Sequence, residues 1–149
     1  LYLLESRTVV EKGILELAIA NGSAEDCQLL QTVTDSWIEE CSEGDVKLDL
    51  HDQIHITLAA MTGNPLLVLV LQTRLTALPP AIRNYGILSG EGSGDEQALR
   101  HELSIHARLT QAVIGRDLSD ARAIFADHQA QEAELIQRFY PAAGESVSQ

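Results

Sequence analysis

Apolar residues return along this chain every three, four or seven positions almost from end to end, and nowhere do they alternate in the period of two that a half-buried strand shows. Such a chain builds its core by packing helices on helices. A first helix over 2–20 carries Val10, Ile14, Leu17 and Ala18 on one stripe and stops at Asn21-Gly22. A second begins at Ser23, an N-cap with Asp26 three positions on, close to a capping box. Its face holds Leu30, Val33 and Trp37, and Gly44 ends it. A third, over 45–62, has Ile54, Leu58 and Met61 on its seam. Gly63-Asn64 breaks the chain, and Pro65 suits the first turn of a fourth helix over 65–78. That helix is apolar on nearly every side, which predicts a place at the centre of the bundle.

Pro79-Pro80 interrupts the pattern, with a short helical piece expected up to Tyr85. The glycine-rich stretch 86–94 reads as a loop. A helix over 95–114 turns Leu99, Leu103, Leu109 and Val113 inward, and one over 119–140 turns Ile124, Phe125, Leu135 and Phe139 inward. The expected fold is all-α: one domain over 1–140, an antiparallel bundle of six to seven helices, with a disordered tail over 141–149.

At 149 residues the chain can bury a core without staples, and with aromatics at 4% aliphatic residues must fill it. The net charge of −12 repels phosphates, so this chain is not expected to bind DNA or an anionic membrane by itself. Cys27 and Cys41 on one helix would lie about 20 Å apart, too far for a disulfide. Unpaired thiols suit a reducing cytoplasm, and the longest apolar run, 65–71, is too short to span a bilayer. The chain begins with Leu1, inside what reads as a helix, so an N-terminal part is expected to lie outside it.

Five histidines carry the functional argument. His51 and His55 are four apart and share one helix face. His106 lies three after Leu103 and seven before Val113, and His128 four after Ile124 and seven before Leu135, both within apolar stripes. His101 sits about 140° round the helix from His106, which predicts a surface position. One inward histidine is most simply a buried, hydrogen-bonded ring. Three helices each sending an imidazole inward are also how bundles build sites for zinc, nickel, copper or iron. Spacing alone does not show that these faces converge.

The segment from His51 to Asn64, HDQIHITLAAMTGN, resembles the hallmark of the FCD domain, the C-terminal ligand-binding domain of FadR-branch GntR-type regulators. The family pattern has an acidic residue, three residues, a histidine, then Gly-Asn eight and nine on, as His55, Gly63 and Asn64 stand here. IHARLTQAVIGRDLSDARAIFADH, from Ile105 to His128, resembles its second pattern through His106, Ala112, Val113, Asp117 and His128. Arg7, Glu11 and Ala18 are similar to its opening helix. The resemblance implies His55, His106 and His128 as ligands of a divalent metal, zinc foremost and nickel next. It also implies a small organic-acid effector, a homodimer, and DNA binding by an N-terminal winged helix-turn-helix that this chain does not contain.

In one position the chain departs from that family. The usual first ligand is an aspartate four before the histidine, and here His51 stands there. His51 keeps the i, i+4 geometry; Asp52, three before His55, is the possible substitute, and loss of the fourth ligand is the third outcome. Arg7 lies on the apolar side of its helix and needs an anion, either Glu11 or the effector's carboxylate. Asn64 is a helix cap or a ligand contact, and Arg74 and Arg83 line the pocket or sit in solvent. Trp37 reads as core or dimer contact, and the acidic stretch from Glu39 to Asp49 as a solvated face.

Three functions compete. A metal-assisted sensor leads. A metal-free relative sensing an apolar acyl effector would not need the three family histidines. A helical metalloenzyme would need an open metal position and inward glutamates in Glu-x-x-His register, whereas Glu102 lies four before His106.

Overall fold

The structure, a computed structural model, describes residues 2–42, 48–77 and 96–139. Six helices account for nearly all of them: α1 (Tyr2–Asn21), α2 (Ala24–Ser42), α3 (Leu48–Met61), α4 (Pro65–Ala77), α5 (Glu96–Ile114) and α6 (Leu118–Phe139). The fold is an all-helical bundle, and no strand occurs among the described residues. The stop at Gly44, the short helix up to Tyr85 with Arg83, the loop 86–94 and the tail 141–149 lie outside the described residues. So do the side chains of Leu135 and Phe139.

Local chemistry fixes the helix ends. At the start of α2 the Asp26 N–H donates to Ser23 Oγ at 3.1 Å, and the Ser23 N–H donates to Asp26 Oδ2 at 2.8 Å, the reciprocal capping box expected there. Gly63 takes the left-handed conformation after α3, with φ of 73°. Asn64 Oδ1 then accepts from the Leu66 N–H at 3.0 Å and opens α4. Asp117 caps α6 through a bond from the Asp120 N–H at 3.0 Å, so that helix begins at Leu118, one residue before the expected Ser119.

The core centres on α1, which packs against α3, α4, α5 and α6, while α2 closes the side between α3 and α5. Ile14, Leu15 and Ala18 meet Ile54, Leu58, Leu71, Leu109, Ile124 and Phe125 in one buried cluster. A buried hydroxyl pair, Thr34 and Thr110 at 2.8 Å, joins α2 to α5. Two expectations are corrected. Leu17 is 41% exposed, because the buried stripe of α1 runs through Arg7, Glu11, Ile14 and Ala18 and leaves it off the seam. Helix α4 is not central: among the described helices it packs chiefly on α3 and α1, and Leu66, Leu69 and Val70 are exposed at 67%, 57% and 47%. An all-apolar helix gains from cover, and the described helices cover only part of its circumference.

One end of the bundle is tied by side chains that bond the last carbonyls of α1 and α3. Arg116, in the left-handed conformation with φ of 56°, donates to the carbonyls of Ile19 and Gly22. Asn21 Nδ2 donates to the Thr62 carbonyl at 2.9 Å. These bonds satisfy carbonyls that a helix end leaves unpaired.

Gly22 permits this closure. A Cβ there would stand 2.7 Å from the Ala18 carbonyl oxygen and 2.7 Å from Met61 Cε. Gly22→Ala is expected to destabilise by about 1–3 kcal/mol. Gly13, mid-helix and exposed, has open space around its Cα, so Gly13→Ala is expected to stabilise by about 0.5–1 kcal/mol. Urea-unfolding midpoints of the two variants should move in opposite directions.

Candidate metal centre

The buried seams of three helices converge on imidazoles. His51 and His55 come from α3, His106 from α5 and His128 from α6; His55, His106 and His128 are buried and His51 is half-buried. One nitrogen from each falls in a group whose members all lie within 4.8 Å of one another. His55 Nε2 is 3.4 Å from His51 Nε2 and 3.4 Å from His106 Nε2. Those separations are long for hydrogen bonds. Around a tetrahedral ion with metal–nitrogen bonds of about 2.0–2.1 Å, ligand nitrogens stand about 3.3–3.4 Å apart.

The chemistry of the nitrogens fits an ion as well as the spacing does. Both ring nitrogens of His128 are buried without a hydrogen-bond partner. Orphaned polar atoms of this kind call for an unseen partner. Burial, and then the neighbouring imidazoles of His51 and His106, hold His55 well below the usual histidine range. The same two causes, burial and then His51 and His128, lower His106. These rings are therefore neutral, and a neutral imidazole offers the lone pair that a metal needs. His106 Nδ1 donates to the Glu102 carbonyl at 2.9 Å, which leaves its Nε2 lone pair toward the group. The four histidines can hold a metal ion.

Around them lies a polar surround. The Glu102 carboxylate is 3.5 Å from His106 Nδ1 and 3.5 Å from His128 Nδ1. Burial would raise its carboxyl, but the polar contact with His128 first, and the facing imidazoles of His128, His106 and His51 after it, outweigh that and bring it down to about 2. Asp52 stands behind His51, with Oδ1 3.7 Å from Nδ1. The histidine group therefore includes His51 and not Asp52. Trp37 is wholly buried and packs its ring 5.3 Å from His51 and 4.9 Å from His106.

A second buried cluster abuts the first. Arg7 Nε donates to both Glu11 carboxylate oxygens at 3.1 Å, and Arg74 from α4 pairs with the same carboxylate. Two guanidiniums thus share Glu11, and Arg74 Nε has no hydrogen-bond partner. Glu11 and His55 line one small cavity, of about 10 Å³, with Ile14, Leu58 and Leu71. Arg7 is therefore beside the histidines and already engaged by Glu11. Asn64 is not: it is exposed at the α3–α4 turn, with its side chain spent on the helix cap. His101 is exposed as expected.

Sequence reasoning had not assigned Glu102 or Trp37 to the site and had left Arg74 open between pocket and solvent. Glu102 carried a usable signal, since a glutamate one turn before an inward histidine shares its face. Trp37 and Arg74 come from α2 and α4, and only the packing of those helices brings them here.

A helical bundle whose interior joins a histidine group to an arginine pair has the build of a small-molecule binding domain. The chain belongs to the FCD domain family, which matches residues 2–131, and is a transcription-regulator domain rather than an enzyme. Its fold is similar to that of McbR (YncC) from E. coli, with a TM-score of 0.76 and 17% identity over 93% of this chain and 64% of McbR. The chain thus spans less than two thirds of that protein's length. No curated protein matches it in sequence. No described helix is long and apolar enough to cross a membrane.

The lowered histidines make stability depend on pH. Below the ordinary value of 6.5 the unfolded chain takes up protons that the folded His55 and His106 refuse. The metal-stripped protein should therefore hold level stability above about pH 7 and lose it progressively below, at up to about 1.4 kcal/mol per pH unit for each histidine. Urea titrations at stepped pH measure this. A level curve down to about pH 5 would show that the folded rings accept protons freely.

Proposed function

We propose that this domain senses a small organic acid through a divalent metal ion, zinc first and nickel second, held by His51, His55, His106 and His128. The observation that carries the reading is the group of four imidazoles, three of them buried, with two nitrogen pairs 3.4 Å apart. Four neutral ligands would leave a bound ion its full positive charge, a strong attraction for a carboxylate. Arg7 and Arg74 both pair with Glu11, whose carboxylate lines the same cavity as His55.

In this reading the domain belongs to the FadR branch of GntR-type regulators and works in the cytoplasm as a homodimer. The exposed Leu66, Leu69 and Val70 of α4 offer a second copy an apolar face. DNA contact falls to a winged helix-turn-helix elsewhere in the full-length protein, in keeping with the net charge of −12 on this part. Effector binding would shift the helices that supply the ligands, and with them the spacing of two DNA-binding heads.

Elemental analysis of untagged protein should find about one zinc or nickel ion per chain, lost in His55→Ala. Small hydroxy acids and dicarboxylic acids should then raise the melting temperature and change the emission of Trp37, the chain's one tryptophan. Both responses should vanish after chelation. Protein purified without chelator that carries no metal would sink the proposal.

A further inference from the structure

The proposed site depends on the protonation pattern of each ring. An imidazole offers Nε2 to a shared centre only when its proton sits on Nδ1, and a partner on the Nδ1 side fixes that tautomer. His106 has such a partner in the backbone, the Glu102 carbonyl at 2.9 Å. His128 has none: neither of its ring nitrogens makes a hydrogen bond, and the ring is buried. The group the structure places at its Nδ1 is Glu102 Oε1, at 3.5 Å, while Oε2 of the same carboxylate stands 3.5 Å from His106 Nδ1. A carboxylate in a buried helix interface is costly unless it is partnered. An apolar residue would fill the same space more cheaply if packing were its only role.

We propose that Glu102 is a positioning residue, which holds the proton of His128 on Nδ1 and so turns the Nε2 lone pair of His128 toward the other three imidazoles. The inference rests on the metal reading above. It concerns a residue that would touch neither the ion nor the effector. It also offers a place for the anionic charge that is missing where His51 stands: behind the ligands, between the rings from α5 and α6.

Glu102→Gln separates this role from simple packing. The amide keeps one acceptor oxygen and replaces the other with an N–H₂ donor. His106 keeps its Nδ1–H on the backbone carbonyl, so a donor facing that ring clashes with it. The N–H₂ group then faces His128 and favours the tautomer with the proton on Nε2. In the chelator-treated, ¹⁵N-histidine-labelled protein, long-range proton–nitrogen correlation should show His128 with a bare Nε2 in the wild type. Glu102→Gln should show that nitrogen protonated, with His106 unchanged.

In competition with a chromophoric chelator, Glu102→Gln should bind zinc about 10–100-fold more weakly than wild type. Combined with His128→Ala it should bind no more weakly than His128→Ala alone, because both changes remove the same ligand. Glu102→Met, of similar size and without an acceptor, should weaken zinc binding to a similar degree while melting no lower than the wild type in the absence of metal. The proposal is overturned if His128 keeps a bare Nε2 in Glu102→Gln, or if the losses multiply in the double variant. Zinc binding by Glu102→Met at wild-type strength would overturn it too. If the wild type binds no zinc, the metal reading falls, and the nitrogen shifts of the metal-free protein still decide what Glu102 does.

Discussion

Burying an imidazole removes two nitrogens from water, and a bundle filled with aliphatic side chains has little to give them in return. Three such rings are buried here, with a fourth beside them, and much of the polar interior answers that demand. One nitrogen of each ring converges on a common point. On the far side stand a backbone carbonyl and a carboxylate from α5, and a carboxylate from α3 behind His51. The helices are laid so that the convergence is possible: α3 lies between α1 and α2, and α5 and α6 pack side by side to bring the remaining two rings across.

The arginine cluster follows the same logic with opposite charge. Arg7 and Arg74 enter from α1 and α4, and Glu11 is the carboxylate that makes their burial tolerable. The two clusters meet at the cavity between Glu11 and His55. Each alone could be structural. Together they set a group of imidazoles beside a buried carboxylate held by two guanidiniums.

Much of this was legible in the sequence. The period of apolar residues gives the helices, Ser23 and Asp26 give a cap, and the register of His51, His55, His106 and His128 gives four inward rings. Two misreadings share a cause. Leu17 and the outer face of α4 are apolar, and hydrophobicity says that a side chain would gain from cover without saying that its own chain supplies it. Convergence was beyond the sequence, because it depends on how α3, α5 and α6 cross. Glu102 was passed over for the same reason. Its spacing from His106 was visible, but its approach to His128 exists only once α5 and α6 are packed.

The ties at the end of α1 have a mechanical consequence. Helix α1 is about 30 Å long. Arg116 grips it at Ile19 and at the turn residue Gly22, and Asn21 fastens it to the end of α3. Near its middle, Glu11 of α1 pairs with Arg74 of α4 beside the histidines. A rod clamped at one end and loaded at mid-length is a lever with its fulcrum at the clamp. A small displacement at Glu11 becomes a larger one at Tyr2, and the bonds from Arg116 set the stiffness of the pivot.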